Sequence, residues 1–282
     1  MIVKITPRTL FAFAILTLIG VFFAIGALTG IFSPVLLISL SLLGTSLLAA
    51  NKVVAWIKAR KVYAKWQKPS TFDRNLVVIG AGSAGLVTAY IAATLKAKVT
   101  LIEKHKMGGD CLNTGCVPSK ALIRSAKLLS HMSRSKEFGI RKAHADFDFA
   151  EVMERVQRVV KRVEPHDSVD RYTELGVDVI QGEAKITSPW SVEIKTTEGM
   201  QTLTTRNIVI ATGAKPFVPS IPGLDEVGYL TSDNIWDLRE RPRRLLVLGG
   251  GPIGSEMAQT FSRLGSQVTQ VERRPRLEWH LL

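Results

Sequence analysis

Apolar and polar positions along the 282 residues fall into distinct regimes. From Leu10 to Phe32 the chain runs 23 residues without a charge, and after Ser33-Pro34 a second uncharged run of 16 residues extends from Val35 to Ala50. The first run is long enough to span a hydrocarbon core as a helix. The second spans one only by borrowing Asn51 to Ile57, with Lys52 snorkelling to the interface. From Asn51 to Asn75, lysines interleave with Trp56, Tyr63 and Trp66, and Pro69-Ser70 ends the helix. That pattern suits a basic juxtamembrane helix with a linker, although an ordinary solvated helix shares it.

Beyond Asn75 the periods shorten and alternate. Leu76 to Ile79 predicts a strand, a small-residue helix follows through Leu95, and Lys98 to Ile102 predicts the next strand. Another helix runs on through Ala121 to Met132. Phe149, Val152, Val156, Val159, Val160 and Val163 recur at helical spacing within 147–163. Val177 to Gln181 reads as a strand. Ser191 to Lys195 and Gln201 to Thr205 pair as a hairpin across Glu198-Gly199, and Asn207 to Ala211 is a separate buried strand. Arg244 to Leu248, a helix to Leu264, and Gln267 to Val271 complete a second strand–helix–strand unit. The class is therefore α/β and Rossmann-like, with an incomplete second βαβ unit, preceded by a transmembrane helical hairpin. The divisions fall at 1–70, 71–238 and 239–282.

Charge refines the first division. Lys and Arg number 37 against 24 Asp and Glu, a net charge of +13. Lys4 and Arg8 precede the apolar runs, and Lys52, Lys58, Arg60, Lys61, Lys65 and Lys68 follow them. Positive charge at both ends predicts a hairpin in the cell inner membrane, its globular part cytoplasmic and its basic segment on membrane lipid. A signal peptide with Lys4 and Arg8 as its basic region is the competing reading. The basic residues form no nucleic-acid patch.

Two glycine turns carry the first candidate chemistry. Gly80-Ala81-Gly82-Ser83-Ala84-Gly85 opens a helix directly after a strand, and Glu103 ends the next strand. Gly80 permits a tight turn, Gly82 lets backbone approach a pyrophosphate, and Gly85 allows the helix to pack close to the strand. The helix N-terminus faces the phosphates, and Glu103 is placed to accept from ribose hydroxyls. Gly249-Gly250-Gly251-Pro252-Ile253-Gly254 repeats the arrangement, with Glu272 in the acidic place. Two such fingerprints imply two dinucleotides.

Cys111 and Cys116 are the only cysteines. Their spacing can bring two sulfurs onto one helical face. A loop this short gains little from chain-entropy closure, whereas small strained loops hold labile, exchange-competent disulfides. Lys120 adds a cation that favours a thiolate. Two buried thiols, or half of a metal site, remain the alternatives. His131, His144 and His166 sit in polar settings and read as surface residues.

The run 108–120, Gly-Gly-Asp-Cys-Leu-Asn-Thr-Gly-Cys-Val-Pro-Ser-Lys, together with both glycine turns, resembles the class I flavin-dependent pyridine nucleotide–disulfide oxidoreductases. That family includes dihydrolipoyl dehydrogenase, glutathione reductase and mercuric reductase, and the resemblance runs from about Phe72 to about Arg276. It implies FAD contacts at Gly80, Gly82, Ser83, Ala84, Gly85, Glu103, Lys104, Gly109, Asp110, Lys120, Ala184, Thr212 and Gly213. It places NAD(P)H at Gly249, Gly251, Gly254 and Glu272. Glu272 favours NADH, because a carboxylate repels a 2′-phosphate, while Arg273 and Arg274 could instead bind that phosphate. Cys111 becomes the interchange thiolate, Cys116 the sulfur nearest the flavin, and Lys120–Glu256 a buried pair beside the ring. Electrons would pass from NAD(P)H through FAD to the Cys111–Cys116 disulfide, and then to a disulfide or metal-ion substrate. The resemblance implies no resident metal. The family's homodimerisation domain and its His–Glu acid/base have no counterpart before Leu282, and His280 has no acid to orient it. The chain therefore reads as a truncated enzyme, or else as a catalytically incomplete flavin-binding membrane protein or a fragment of a split gene.

Overall fold

A computed structural model describes residues 34–273, and the chain divides between Gln67 and Lys68 into two units. In the first, helix α1 spans Pro34–Tyr63. Its second half carries Lys52, Lys58, Arg60 and Lys61, and Val53, Trp56 and Val62 are exposed there. The Arg60 guanidinium lies 5.1 Å from the Trp56 ring centroid, and the Lys65 ammonium 4.2 Å from that of Trp66. The interleaving of cations and aromatics thus has a local use, as cation–π pairs.

The transmembrane hairpin is not supported. Among the described residues no helix is long and apolar enough to cross a membrane. The first apolar run, 10–32, lies outside the described residues. The second stops at Lys52, and 16 residues of helix rise only about 24 Å against a hydrocarbon core of about 30 Å. Placement at an inner membrane with a cytoplasmic domain rested on that hairpin and loses its support with it.

The second unit is built on strands β1 (Arg74–Ile79), β2 (Val99–Glu103), β3 (Val177–Gln181), β4 (Glu183–Ser188), β5 (Ser191–Lys195) and β6 (Met200–Ile210). They form one sheet in the order β3-β2-β1-β6-β5-β4. The first four strands in that order run parallel, and β5 and β4 pair antiparallel beyond β6. Val77, Val78, Leu101 and Ile102 are buried, as strands covered on both faces require. Helices α2 (Ser83–Thr94) and α3 (Gly109–Asn113) follow β1 and β2. Then come α4 (Cys116–Ser133), α5 (Phe149–Val163), α6 (Val169–Glu174) and α7 (Leu224–Val227).

Two expectations differ from the fold. The segments 201–205 and 207–211 are one strand, β6, because no glycine or proline separates them and each half has a partner. Residues 200–204 pair with β5, while 205 and 207–210 pair with β1. Residues 183–188, unassigned from sequence, form β4, whose Ala184 and Ile186 alternate with charged positions too weakly to stand out.

Strands β7 (Arg244–Leu248) and β8 (Gln267–Val271) pair parallel in a separate two-stranded sheet, with helix α8 (Pro252–Arg263) between them. Helix α8 packs on α4 and α5 through a core holding Leu122, Met153, Val156, Trp236 and Phe261. That core places the second glycine turn and the cysteine helix in one packed body.

Candidate functional site

At the end of β1, Gly80 adopts φ +100° and its N–H donates to the Ile102 carbonyl at 2.7 Å. A Cβ at Gly80 would overlap the Ala211 carbonyl oxygen, and one at Gly85 would overlap that of Gly80. The turn therefore requires glycine at both positions. Gly82 begins α2 with no side-chain cap, so the first helical amides, at Ser83 and Ala84, lack intrahelical partners and sit at the positive end of the dipole. Glu103 is fixed beside them. One carboxylate oxygen accepts from the Ala81 N–H at 2.6 Å and the other from the His105 N–H at 2.7 Å. Lys104 pairs with Glu183 at 2.7 Å, next to Ala184 in β4, and its ammonium holds the Glu183 carboxyl below the usual range.

The cysteine segment lies directly against this turn. The Gly108 N–H donates to the Ala81 carbonyl at 2.9 Å, and Gly108 and Gly109 are both left-handed, with φ +83° and +52°. A Cβ on Gly109 would come within 2.6 Å of the Gly82 Cα, so the two backbones touch only because residue 109 is glycine. The Asn113 side chain donates to the Met107 and Gly109 carbonyls at 3.0 and 2.9 Å, closing the bend. A Cβ on Gly213 would stand 3.5 Å from an Asp110 carboxylate oxygen, which brings the 211–213 turn to the same place.

Cys111 is half-buried in α3, and Cys116 is exposed at the start of α4. The two thiols are close enough to interact. That contact pushes the Cys116 thiol above the ordinary cysteine value, burial and charge at Cys111 add to the shift, and Lys120, one turn along, opposes it. Lys120 ion-pairs with Glu256 of α8 at 2.6 Å. The pair stands on exposed side chains, 59% and 41% accessible, where the sequence suggested a buried one.

The second turn copies the first. Gly249 has φ +110°, its N–H donates to Val271 at 2.8 Å, and a Cβ on Gly254 would overlap the Gly249 carbonyl. Glu272 accepts from the Gly250 N–H at 2.5 Å, matching Glu103 and Ala81 residue for residue, and Gly251 again starts a helix without a side-chain cap. Arg274 and His280 lie outside the described residues.

Sequence reasoning missed three side chains that hold this arrangement. Asn113 stands between the cysteines, and its place there was the available signal. Arg155 of α5 donates to the Ala121 carbonyl at 2.9 Å and to Ser125 at 3.3 Å, bracing α4. Trp236 donates its indole N–H to the Thr114 carbonyl at 2.8 Å. No local pattern marks either of the last two, because their partners lie 34 and 122 residues away.

Parallel strands with a glycine turn at their carboxyl edge, a cysteine pair docked on that turn and a second copy of the turn stand together in one unit. The chain belongs to the pyridine nucleotide-disulphide oxidoreductase family, which matches residues 74–280 and works with FAD and NAD(P)H. It is 38% identical over 207 residues to a mercuric reductase of Bacillus cereus, covering 73% of this chain and 32% of that protein. It is 38% identical over 211 residues to a dihydrolipoyl dehydrogenase of Manduca sexta, covering 73% and 42%. Among solved structures it is similar to the flavoprotein disulfide reductase RclA of Escherichia coli, solved as a Cu(II) complex. That likeness has 30% identity and a TM-score of 0.62, and it covers 73% of this chain and 44% of that one. The chain thus spans less than half the length of these relatives.

Proposed function

We propose that the turn 80–85 holds FAD, that the turn 249–254 holds NAD(P)H, and that Cys111 and Cys116 pass electrons to a disulfide or metal-ion substrate. The observation that carries this reading is the docking of the cysteine segment, through Gly108 and Gly109, onto the uncapped glycine turn. The residues fit a dinucleotide. A Cβ at Gly82 would meet only the Gly109 Cα, at an ordinary contact distance of 3.8 Å, and one at Gly251 would meet none of the described residues within 4 Å. Neither third-position glycine is crowded, which suits the approach of a pyrophosphate to the uncapped helix start. Bound at the first turn, FAD supplies a two-electron relay between a nicotinamide hydride and a disulfide.

The chain's own residues have separable tasks. Glu103 and Glu272 are held by turn amides at the strand ends, where ribose hydroxyls would donate to a carboxylate. At Glu272 the carboxylate disfavours a 2′-phosphate, so NADH is the preferred nucleotide. Lys120, tied to Glu256, carries a cation beside the cysteine helix. With a disulfide substrate, the Cys111 thiolate attacks one sulfur and releases a thiolate. The Cys116 thiolate then attacks the Cys111 sulfur, closing Cys111–Cys116 and releasing the second. The names of the relatives add a soft metal ion as an alternative acceptor, one suited to paired thiolates. The whole protein is expected to act as a homodimer. Membrane tethering is no part of this reading.

The test is anaerobic reduction of the purified chain. NADH should bleach a flavin absorbance and raise titratable thiols from none to two. A chain that carries FAD but gains no thiols would refute the disulfide step while leaving the flavin assignment standing.

A further inference from the structure

We propose that Trp236 is a positioning residue for the Cys111–Cys116 pair, holding the loop between the two sulfurs through its indole N–H. The inference rests on the reading that these cysteines cycle between dithiol and disulfide. Thr114 and Gly115 are the only residues between α3, which carries Cys111, and α4, which begins at Cys116. The geometry of that two-residue link therefore sets how the two sulfurs face each other. Inside the segment the link is held by Thr114 N–H to Asp110 carbonyl at 2.9 Å and by Ser119 N–H to Gly115 carbonyl at 3.0 Å. Among the described residues, Trp236 is the one side chain from outside residues 107–119 that hydrogen-bonds the backbone of residues 111–116, reaching the Thr114 carbonyl at 2.8 Å.

The donor is itself fixed. Trp236 is 5% exposed and shares its core with Met153, Met257 and Phe261. Its N–H also reaches the Ser232 carbonyl at 2.6 Å, and its own carbonyl accepts from Gln157 and Arg239, each at 3.3 Å. It lies on the segment that leads directly into β7. The loop between the cysteines is thereby tied to the entrance of the second glycine turn, not to the first turn alone. A disulfide tolerates only a narrow range of Cβ separation and torsion. A link freed at Thr114 brings the two thiols into that range less often, so closing the bond becomes less favourable.

The test is the dithiol–disulfide equilibrium of the full 282-residue chain in glutathione buffers under anaerobic conditions. In each turnover Cys111 and Cys116 give two electrons and two protons to glutathione disulfide, leaving the protein disulfide and two glutathione thiols. Oxidised and reduced fractions are read by mass after alkylation. Trp236→Phe keeps the ring buried and removes the N–H. It should lower the oxidation equilibrium constant about two- to tenfold, the span that one net hydrogen bond supports. Val156→Ala, in the same core but without a bond to the cysteine loop, should lower Tm and leave that constant unchanged. Should Trp236→Phe not fold, benzothienylalanine at position 236 retains both rings and lacks only the donor. An unchanged constant in the donor-free variant, or an equal fall in Val156→Ala, overturns the proposal. An unaltered chain that forms no Cys111–Cys116 disulfide overturns the redox reading itself, before any substitution is made.

Discussion

The Cys111 thiol beside it, more than burial, raises the pKa of Cys116 above that of a free cysteine. Two consequences follow at this single atom. Alkylation of Cys116 in the folded, reduced chain should rise at higher pH than in the urea-unfolded chain, and Cys111→Ser should bring that midpoint down. A midpoint below the unfolded one, read by mass spectrometry across a pH series, would contradict the contact. The sign for stability is the same. A group whose pKa is raised on folding contributes stability below its unfolded value, and that contribution is lost as pH rises through the folded value. The reduced chain should therefore lose stability in the alkaline range. The cysteine pair and Lys120 were legible in the sequence because all their parts lie within ten residues. The exposure of Lys120–Glu256 was not, since solvent access depends on how α4 and α8 pack, 136 residues apart.

The β1–α2–β2 element separates folding from ligand binding at neighbouring glycines. Gly85→Ala drives a methyl into the Gly80 carbonyl and should destabilise the chain by about 1–3 kcal/mol, as overpacking does. Thermal melts would measure it. Gly82→Ala places its methyl in ordinary contact with Gly109 at 3.8 Å, so Tm should change little. FAD titration should nevertheless show weaker binding, because the methyl stands in the pyrophosphate path. Equal loss of Tm in both variants would refute this division. The element itself was readable, since strand, glycines, helix and acid follow one another in register. The path of β6 was not, because its two halves pair with different strands, and pairing is a long-range property that local alternation does not encode.

Over the whole molecule the two sheets differ in cover. The six-stranded sheet buries Val77, Val78, Leu101 and Ile102 within it, whereas the β7–β8 pair leaves Leu246, Leu248 and Val271 about half exposed. Two strands are marginal alone, and α8 with the core beneath it supplies most of what holds them. Amide exchange should accordingly release β8 before β1, with an added dinucleotide narrowing the gap. Simultaneous release would mean that the two sheets unfold as one cooperative body. At this scale the sequence misled most. Apolar runs beside lysines and aromatics read as a membrane hairpin, while the described helix is too short in its uncharged part, and two of the aromatics, Trp56 within it and Trp66 beyond its end, pair with neighbouring cations.

The contact between Gly109 and Gly82 makes the two glycine turns unequal in a way their own atoms do not. As cradles they are alike, with the same left-handed first glycine, the same sixth glycine packed against the carbonyl of the first and the same carboxylate on the second amide. Among the described residues only the first has a roof, since none of them stands within 4 Å of a Cβ at Gly251. Recognition of the flavin dinucleotide over the nicotinamide one should then reside in the roof, residues 107–110, with the turn as a generic seat. A graft that replaces residues 80–85 with Gly-Gly-Gly-Pro-Ile-Gly should still retain FAD on purification. Gly109→Ala, whose methyl would stand 2.6 Å from the Gly82 Cα and push the roof off the turn, should release it although no residue of 80–85 is changed.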